Sequence, residues 1–431
     1  MNRVLAEADW LTADRARAWR TVLLVMSLGF AAGWCVFSRS GLDPLGKPLG
    51  TDFLSFYAAS KLVLSGHATS VYDMSAHRLA EIAVFGRDVG YYAYFYPPLF
   101  LLICAPLATA PYLGALGVWL AVTGAAFLAT LRAWMGPRLS LLTALAFPAV
   151  LFNAAHGQNA FLAAALIGAT ALWLDRRPWL AGVALGLLAF KPHLGLAAPL
   201  VLLAAWRWRT IVAAGVTLAV FAASSVAAFG VQAWTGFLAA SPVARVTLEQ
   251  GLVEPGKMVS AFAAARVLGA PVPVAYAAQG AVFLAAMALV LRRPGGRGPA
   301  AGPLFILAAL LTSPFLLDYD LVMLAFPLAW LTRQGLAHGF LRWEKMLLLL
   351  GFLLPLVTRP LALDLHLPIS PVVLLALTAA VARRGRVLGA EPTPLIPAKA
   401  GTQAFSGSRS LDGLGGSGSA TKTPGSPLSR G

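Results

Sequence analysis

Residues 156–193 read HGQNAFLAAALIGATALWLDRRPWLAGVALGLLAFKPH, and this stretch decides the fold. Two apolar runs flank the short charged segment Asp175-Arg176-Arg177, and hydrogen-bonding residues stand at both ends of the stretch. Apolar runs of this kind are typical of helices that cross a lipid bilayer, because a helix satisfies its own backbone hydrogen bonds. Since arginine concentrates on the cytoplasmic side, the stretch predicts two crossings joined by a cytoplasmic turn.

The composition of the whole chain supports the same interpretation. Of the 431 residues, 59% are hydrophobic and 12% are charged, a balance that excludes a soluble domain. We therefore predict an all-α polytopic membrane protein, with about 12 transmembrane helices of roughly 17–25 residues each, in residues 1–386. Residues 387–431 are rich in Gly, Ser, Pro and Thr without apolar periodicity, which predicts a disordered cytoplasmic tail.

The formal net charge of +16 is explained by membrane topology rather than by binding of nucleic acid. The basic residues stand in short clusters between apolar runs, not on an aromatic-interleaved surface. With these clusters on the cytoplasmic side, the other ends of the same runs fall on the outer side: residues 39–96, 153–159, 190–193, 231–272, 317–320 and 358–367. The two cysteines, Cys35 and Cys104, lie in apolar runs, so neither a disulfide framework nor a metal site is predicted.

Two segments depart from this simple pattern. Residues 39–96 form a long outer loop, in which two helical patterns, at about 53–65 and 75–86, predict amphipathic helices, the first of them lying on the membrane surface. Residues 97–134 are long enough for two helices broken near Ala110-Pro111, although the charge rule requires one net crossing there. We therefore predict a re-entrant or surface-lying piece in this segment.

Asp52 is the candidate catalytic residue. It stands in Gly50-Thr51-Asp52-Phe53 at the head of the first predicted loop helix. Partial burial beside aromatic residues raises the pKa of a carboxylate toward the range in which it serves as general base for a hydroxyl group. The same position suits a helix N-cap, a role that aspartate fills often, so capping is the alternative interpretation.

Polar residues at the outer ends of two further runs are candidates for substrate binding. His156, Gln158 and Asn159 could bind sugar hydroxyls, or they could cap and anchor the helix that they open. Lys191 and His193 break the charge rule, which an anionic lipid phosphate would explain. Snorkelling of the lysine to the lipid headgroups is the alternative.

An acidic pair and an aromatic segment complete the candidate set. Asp318 and Asp320 lie between apolar runs, where charges are costly, so they indicate either a function or a very short hydrated loop. Tyr96 ends a tyrosine-rich segment that an interfacial aromatic belt explains, with sugar stacking as an option. The sequence contains no Gly-rich phosphate loop and no dinucleotide fingerprint. An enzyme on the outer face would need a donor already across the membrane, as a lipid-phosphate-linked sugar is.

The ordered set of short motifs resembles glycosyltransferase family 87, a group of polyprenol-phosphate-sugar-dependent enzymes in the GT-C superfamily. Each motif is short, and their order over most of the chain carries the resemblance. The motifs are Thr51-Asp52-Phe53, Ser65-Gly66-His67, Val71-Tyr72-Asp73, Tyr96-Pro97-Pro98, His156-Gly157-Gln158-Asn159, Asp175-Arg176-Arg177-Pro178, Phe190-Lys191-Pro192-His193, and Ser313-Pro314 with Asp318-Tyr319-Asp320.

The resemblance implies a GT-C-like helical bundle in the inner membrane, with its active site facing the periplasm or cell exterior. Asp52 would deprotonate a hydroxyl of a lipid or glycan acceptor, which attacks the anomeric carbon of a polyprenyl-phosphate sugar such as mannose with inversion. Polyprenyl phosphate then leaves. The implied partners are membrane lipids, the lipid-linked donor and the acceptor, with no nucleic acid, no cofactor and no metal.

The late motif departs from the family pattern. Many relatives carry histidines where this chain has Asp318-Tyr319-Asp320, and an acidic pair does not bind phosphate without a cation or protonation. Lys191 and His193 would then bind the donor phosphate, or the two acids would orient sugar hydroxyls or a basic side chain. A divalent cation beside the acids has no support in the sequence.

Two other functions are compatible with these polar residues. A flippase or transporter for a lipid-linked or anionic solute would line a pathway with them, but the sequence shows no matched repeat halves. A non-catalytic scaffold of an envelope-assembly complex is the third alternative. The long loop over residues 39–96 favours the enzyme.

Overall fold

The computed structural model describes residues 2–136, 139–291 and 297–390. Within these ranges the chain forms nineteen α-helices and isolated β-bridges but no strand, which confirms the all-α prediction. The helices are α1 (Asn2–Glu7), α2 (Ala13–Phe37), α3 (Thr51–Leu64), α4 (Met74–Phe85), α5 (Pro98–Cys104), α6 (Tyr112–Met135), α7 (Leu141–Leu145), α8 (Pro148–His156), α9 (Ala160–Trp173), α10 (Pro178–Leu187), α11 (Ala198–Ala204), α12 (Trp208–Phe229), α13 (Val231–Glu249), α14 (Ala261–Val267), α15 (Val272–Leu291), α16 (Ala301–Thr312), α17 (Ala325–His338), α18 (Glu344–Asp364) and α19 (Ser370–Ala390).

The predicted tail lies almost wholly outside the described residues. The boundary predicted at residue 386 falls inside α19, which continues to Ala390. The tail prediction for residues 391–431 concerns residues that the structure does not describe.

Five of the described helices, α2, α6, α12, α15 and α18, are long and apolar enough to cross a membrane. The chain is therefore a helical membrane protein, but the predicted number of about 12 spans is not confirmed. Several apolar runs fold instead as helices of 14, 10, 7 and 12 residues, namely α9, α10, α11 and α16. Since α9 and α16 are almost fully enclosed by protein, their length need not match the bilayer.

The break predicted near Ala110-Pro111 is confirmed. Pro111 is the N-cap of α6, which has 24 residues, whereas the preceding apolar piece contains only the seven-residue α5 and a short 3-10 turn. At 1.5 Å per residue α5 is roughly 10 Å long, too short to cross. The segment thus contains one helix of membrane-spanning length, in agreement with the charge rule.

Helix α3 does not lie on a surface as an amphipathic helix. Residues 53–60 are all buried. Phe53 packs against Tyr112, with ring centroids 5.5 Å apart, and Phe56 packs against Phe100 at 5.0 Å. The surface interpretation is wrong for α3, because its aromatic residues face other helices; their spacing in sequence suits burial in protein as well as burial in lipid.

Basic side chains join the helices at one end of the bundle. Arg207 donates a hydrogen bond to the carbonyl of Leu174 (2.7 Å), and Arg333 donates to the carbonyl of Trp134 (3.4 Å). Arg384 forms a buried ion pair with the first residue of α18. These residues belong to the clusters that the charge rule assigns to the cytoplasm. The opposite ends of α6, α9 and α18 carry the polar residues of the candidate active site.

Candidate active site

Two glycines bring the start of α3 against the turn between α8 and α9. Gly50 and Gly157 both have positive φ angles, 69° and 61°. A Cβ atom on Gly157 would lie 2.6 Å from the Cβ of Phe53 and 3.2 Å from the Cα of Gly50, so only glycine permits this approach. The indole N–H of Trp119 donates to the carbonyl of Gly157 (3.0 Å) and holds the turn in place. The side chains that follow the two glycines are therefore neighbours.

Gln158 holds Asp52 in a hydrogen-bond network. Its amide Nε2 donates to Asp52 Oδ2 (3.1 Å) and to the hydroxyl of Tyr319 (3.0 Å). Its Oε1 accepts from the Tyr96 hydroxyl (3.1 Å) and from the backbone N–H of Asn159 (2.7 Å). These bonds orient the amide so that its nitrogen faces the carboxylate. The polar atoms of Gln158 thus serve contacts within the protein.

Asp52 itself does not cap its helix. The N-cap residue of α3 is Gly50, and no side chain caps the first turn, so the capping interpretation is wrong. Burial raises the pKa of Asp52 above its usual value, whereas His156, the hydrogen bond from Gln158 and Lys191 act in the opposite direction. A partly buried carboxylate with a raised pKa is suited to accept a proton from a bound hydroxyl group.

Asp318 and Asp320 each pair with a basic side chain. Lys191 Nζ lies 2.7 Å from Asp320 Oδ1, with the two side chains 3% and 1% exposed. Arg359 Nη2 lies 2.6 Å from Asp318 Oδ2. The hydrated-loop interpretation of the acids and the snorkelling interpretation of Lys191 are therefore wrong. The contacts agree with orientation of basic side chains by the acids.

The other predicted residues lie in or beside this cluster. The His156 ring is 6.1 Å from the ring of Tyr319, and Asn159 is fully buried at the start of α9. His193 Nε2 is buried without a hydrogen-bond partner among the described residues. Tyr96 packs against Phe100, with centroids 4.7 Å apart, and bonds to Gln158, so an interfacial belt does not account for its position.

Two residues of this cluster were not predicted from the sequence. Tyr319 stands between the two acids and has no sequence signal of its own. Arg359 lies in the second half of α18, a helix of membrane-spanning length whose other charged residues stand at its two ends. An arginine in such a helix is costly unless it has a partner or a function, and this signal could have identified it.

Comparison with known proteins assigns the family. The sequence model of glycosyltransferase family 87 matches residues 94–317, just over half of the chain. The match includes Tyr96, Gln158 and Lys191, whereas Asp52 and Arg359 lie outside it. No curated protein and no solved structure matches the chain. The chain belongs to glycosyltransferase family 87 and is a membrane glycosyltransferase.

Proposed function

We propose that the enzyme transfers a sugar, with mannose as the first candidate, from a polyprenyl-phosphate donor to a hydroxyl group of a lipid or glycan acceptor. The reaction inverts the anomeric centre and takes place on the outer face of the inner membrane. The observation that supports this proposal is that one carboxylate oxygen of Asp52 is free of hydrogen bonds within the described part of the chain. Gln158 donates to Oδ2, whereas Oδ1 has no partner there. That oxygen is available to a substrate hydroxyl.

The cluster contains the groups that this chemistry requires. Asp52 takes the proton of the acceptor hydroxyl as the oxygen bonds to the anomeric carbon of the donor. The bond from that carbon to the phosphate oxygen breaks, and polyprenyl phosphate leaves with the electron pair. Lys191 and Arg359 supply positive charge in the same cluster, and fixed charges stabilise a leaving anion without reorganisation. A single attack opposite the leaving group inverts the configuration.

The side of the membrane is inferred from the charge pattern. Arg207, Arg333 and Arg384 gather at one end of the bundle, and such clusters stay in the cytoplasm. Asp52 and its neighbours lie at the opposite ends of the same helices. Donor and acceptor would therefore bind to the enzyme from the periplasm or cell exterior. Membership of a glycosyltransferase family favours this function over a flippase, a transporter or a scaffold.

Sealed membranes test the donor and the side together. Spheroplasts expose the outer face, and inverted vesicles expose the cytoplasmic face. With an added short-chain polyprenyl-phosphate sugar and a labelled acceptor, we expect product from spheroplasts and almost none from inverted vesicles until detergent opens them. The matching nucleotide sugar should give no product with the purified enzyme. Transfer from the nucleotide sugar alone, or full activity of intact inverted vesicles, would contradict the proposal.

Replacing Gln158 with Glu should move the pH profile of the reaction to higher pH. A general base works in its deprotonated form, so the rate rises as pH passes the pKa of Asp52. A second carboxylate about 3 Å from Asp52 disfavours ionisation and raises that pKa further. We expect the acid limb of kcat to shift upward by about one pH unit or more. An unshifted limb would show that the rate does not depend on Asp52 ionisation.

A further inference from the structure

The two ion pairs of the cluster differ in how accessible they are. Lys191 and Asp320 are both enclosed, and the second oxygen of Asp320 accepts the backbone N–H of Leu317 (3.3 Å). Arg359 is 31% exposed, although its partner Asp318 is only 1% exposed. The first pair is closed on all sides. The second joins a partly exposed cation to a buried carboxylate.

The Arg359–Asp318 pair leaves hydrogen-bonding capacity unused. Asp318 Oδ2 accepts a hydrogen bond from Arg359 Nε (2.9 Å), and Arg359 Nη2 lies 2.6 Å from the same oxygen. Asp318 Oδ1 is buried without a partner among the described residues. The hydrogen bonds of Arg359 within the described chain go to Asp318 alone. A buried carboxylate oxygen without a donor is costly, so a hydrogen-bond donor from a ligand or from water is required there.

This pair belongs to the same cluster as the proposed base. Tyr319, which follows Asp318 in sequence, accepts a hydrogen bond from Gln158 Nε2, and the same nitrogen donates to Asp52 Oδ2. An antiparallel bridge between Met258 and Leu317, with the Val259 N–H bonded to the carbonyl of Leu316 (2.9 Å), fixes the backbone just ahead of Asp318. The backbone that carries the Asp318 carboxylate is thus held in a fixed position.

We propose that Arg359 and Asp318 together bind the glycosyl phosphate of the donor: Arg359 binds the phosphate oxygens, and Asp318 Oδ1 accepts a sugar hydroxyl. This inference rests on the proposed function. Asp318 also positions the guanidinium through Oδ2. The pair lies outside the residues that the family model matches.

The chemistry of Arg359 and Asp318 restricts the class of ligand that the two side chains can bind. A guanidinium binds phosphate through parallel N–H groups, and a carboxylate oxygen accepts a hydroxyl but repels a bare anion. The ligand must therefore carry a phosphate and a hydroxyl a short distance apart. A glycosyl phosphate has both groups, and so does a glycerol-bearing phospholipid headgroup. These two sources share one chemistry, and the binding experiment separates them.

The experiment measures binding by the full-length protein without acceptor, so that no turnover occurs. The probes are one short prenyl chain as the free alcohol, as the phosphate and as the sugar phosphate. In the unmodified protein we expect affinity to rise from the alcohol to the phosphate, and again from the phosphate to the sugar phosphate. Arg359→Gln should abolish the gain from alcohol to phosphate, a loss of about tenfold to a hundredfold. Asp318→Asn should abolish most of the gain from phosphate to sugar phosphate, about tenfold.

The controls separate a binding role from a structural one. Arg245→Gln removes an exposed arginine that pairs with Glu249 on α13, and it should leave both gains intact. Arg359→Lys keeps the positive charge but loses the parallel N–H groups of the guanidinium. It should therefore retain part of the affinity gain from alcohol to phosphate, and it tests the proposal even if Arg359→Gln does not fold. Equal weakening of all three probes by Arg359→Gln would overturn the proposal. Competition by phosphatidylglycerol as strong as that by the sugar phosphate would overturn the donor assignment.

The failure of this inference and that of the proposed function are distinguishable. Asp52→Asn should keep both affinity gains while losing transfer. If both gains are present but no donor supports transfer, the proposed function is wrong and the binding pair stands. If transfer occurs but Arg359→Gln keeps the phosphate gain, the function stands and the role of Arg359 is wrong.

Discussion

Replacing Asp52 with Asn is expected to lower the rate of sugar transfer about a hundredfold to ten-thousandfold, which is the contribution of a positioned general base. Asparagine has the same shape and can still accept the hydrogen bond that Gln158 donates to Asp52 Oδ2 (3.1 Å). It cannot take a proton from the acceptor. The loss should therefore appear in kcat, measured as labelled product formed from a polyprenyl-phosphate sugar.

A matched substitution in the same loop controls for loss of a carboxylate. Asp88 pairs with Arg78 on an exposed surface, and Asp88→Asn should leave transfer unchanged. The midpoint of thermal unfolding and the elution profile of Asp52→Asn should match those of the unmodified enzyme. Full activity of Asp52→Asn would remove this residue from the mechanism, even if the polyprenyl-phosphate donor proved correct.

The second large effect is expected on stability. Lys191→Met leaves the carboxylate of Asp320, 1% exposed, without its partner at 2.7 Å. Removing one member of a buried ion pair typically costs about 3–5 kcal/mol, because the other charge stays buried and uncompensated. We expect the unfolding midpoint of the purified protein to fall accordingly. The ammonium also lies 5.4 Å above the Tyr319 ring, so the position of Tyr319 should loosen as well.

A double substitution separates the lost pair from lost packing. Asp320→Asn removes the charge but keeps an oxygen for the Leu317 N–H. The double variant Lys191→Met/Asp320→Asn should therefore lose clearly less unfolding free energy than the two single variants added together. Each single variant loses the interaction between the two side chains, whereas the double variant loses it only once. Additive losses would show that the pair contributes little and that the single variants report local packing.

Much of the architecture follows from local sequence. Apolar runs and basic clusters specify helices and the end at which each begins, because the bilayer acts on each segment separately. Pro111 ends one segment and starts α6, since proline has no backbone N–H to donate within a helix but is well tolerated where a helix begins. The candidate residues Asp52, Gln158 and Lys191 were predictable because polar groups at the ends of apolar runs are costly without a role.

The tertiary structure alone decided what those residues touch. Aromatic spacing in α3 cannot distinguish lipid from protein as its environment, and only the packing against Tyr112 and Phe100 does so. The partners of the two acids, Lys191 and Arg359, lie 129 and 41 residues away in sequence. Contacts over such distances depend on how helices pack, and no local pattern encodes them. The sequence by itself therefore determined a membrane-embedded helical protein with polar residues at one side, and the packing of α3, α9 and α18 determined which of them share a site.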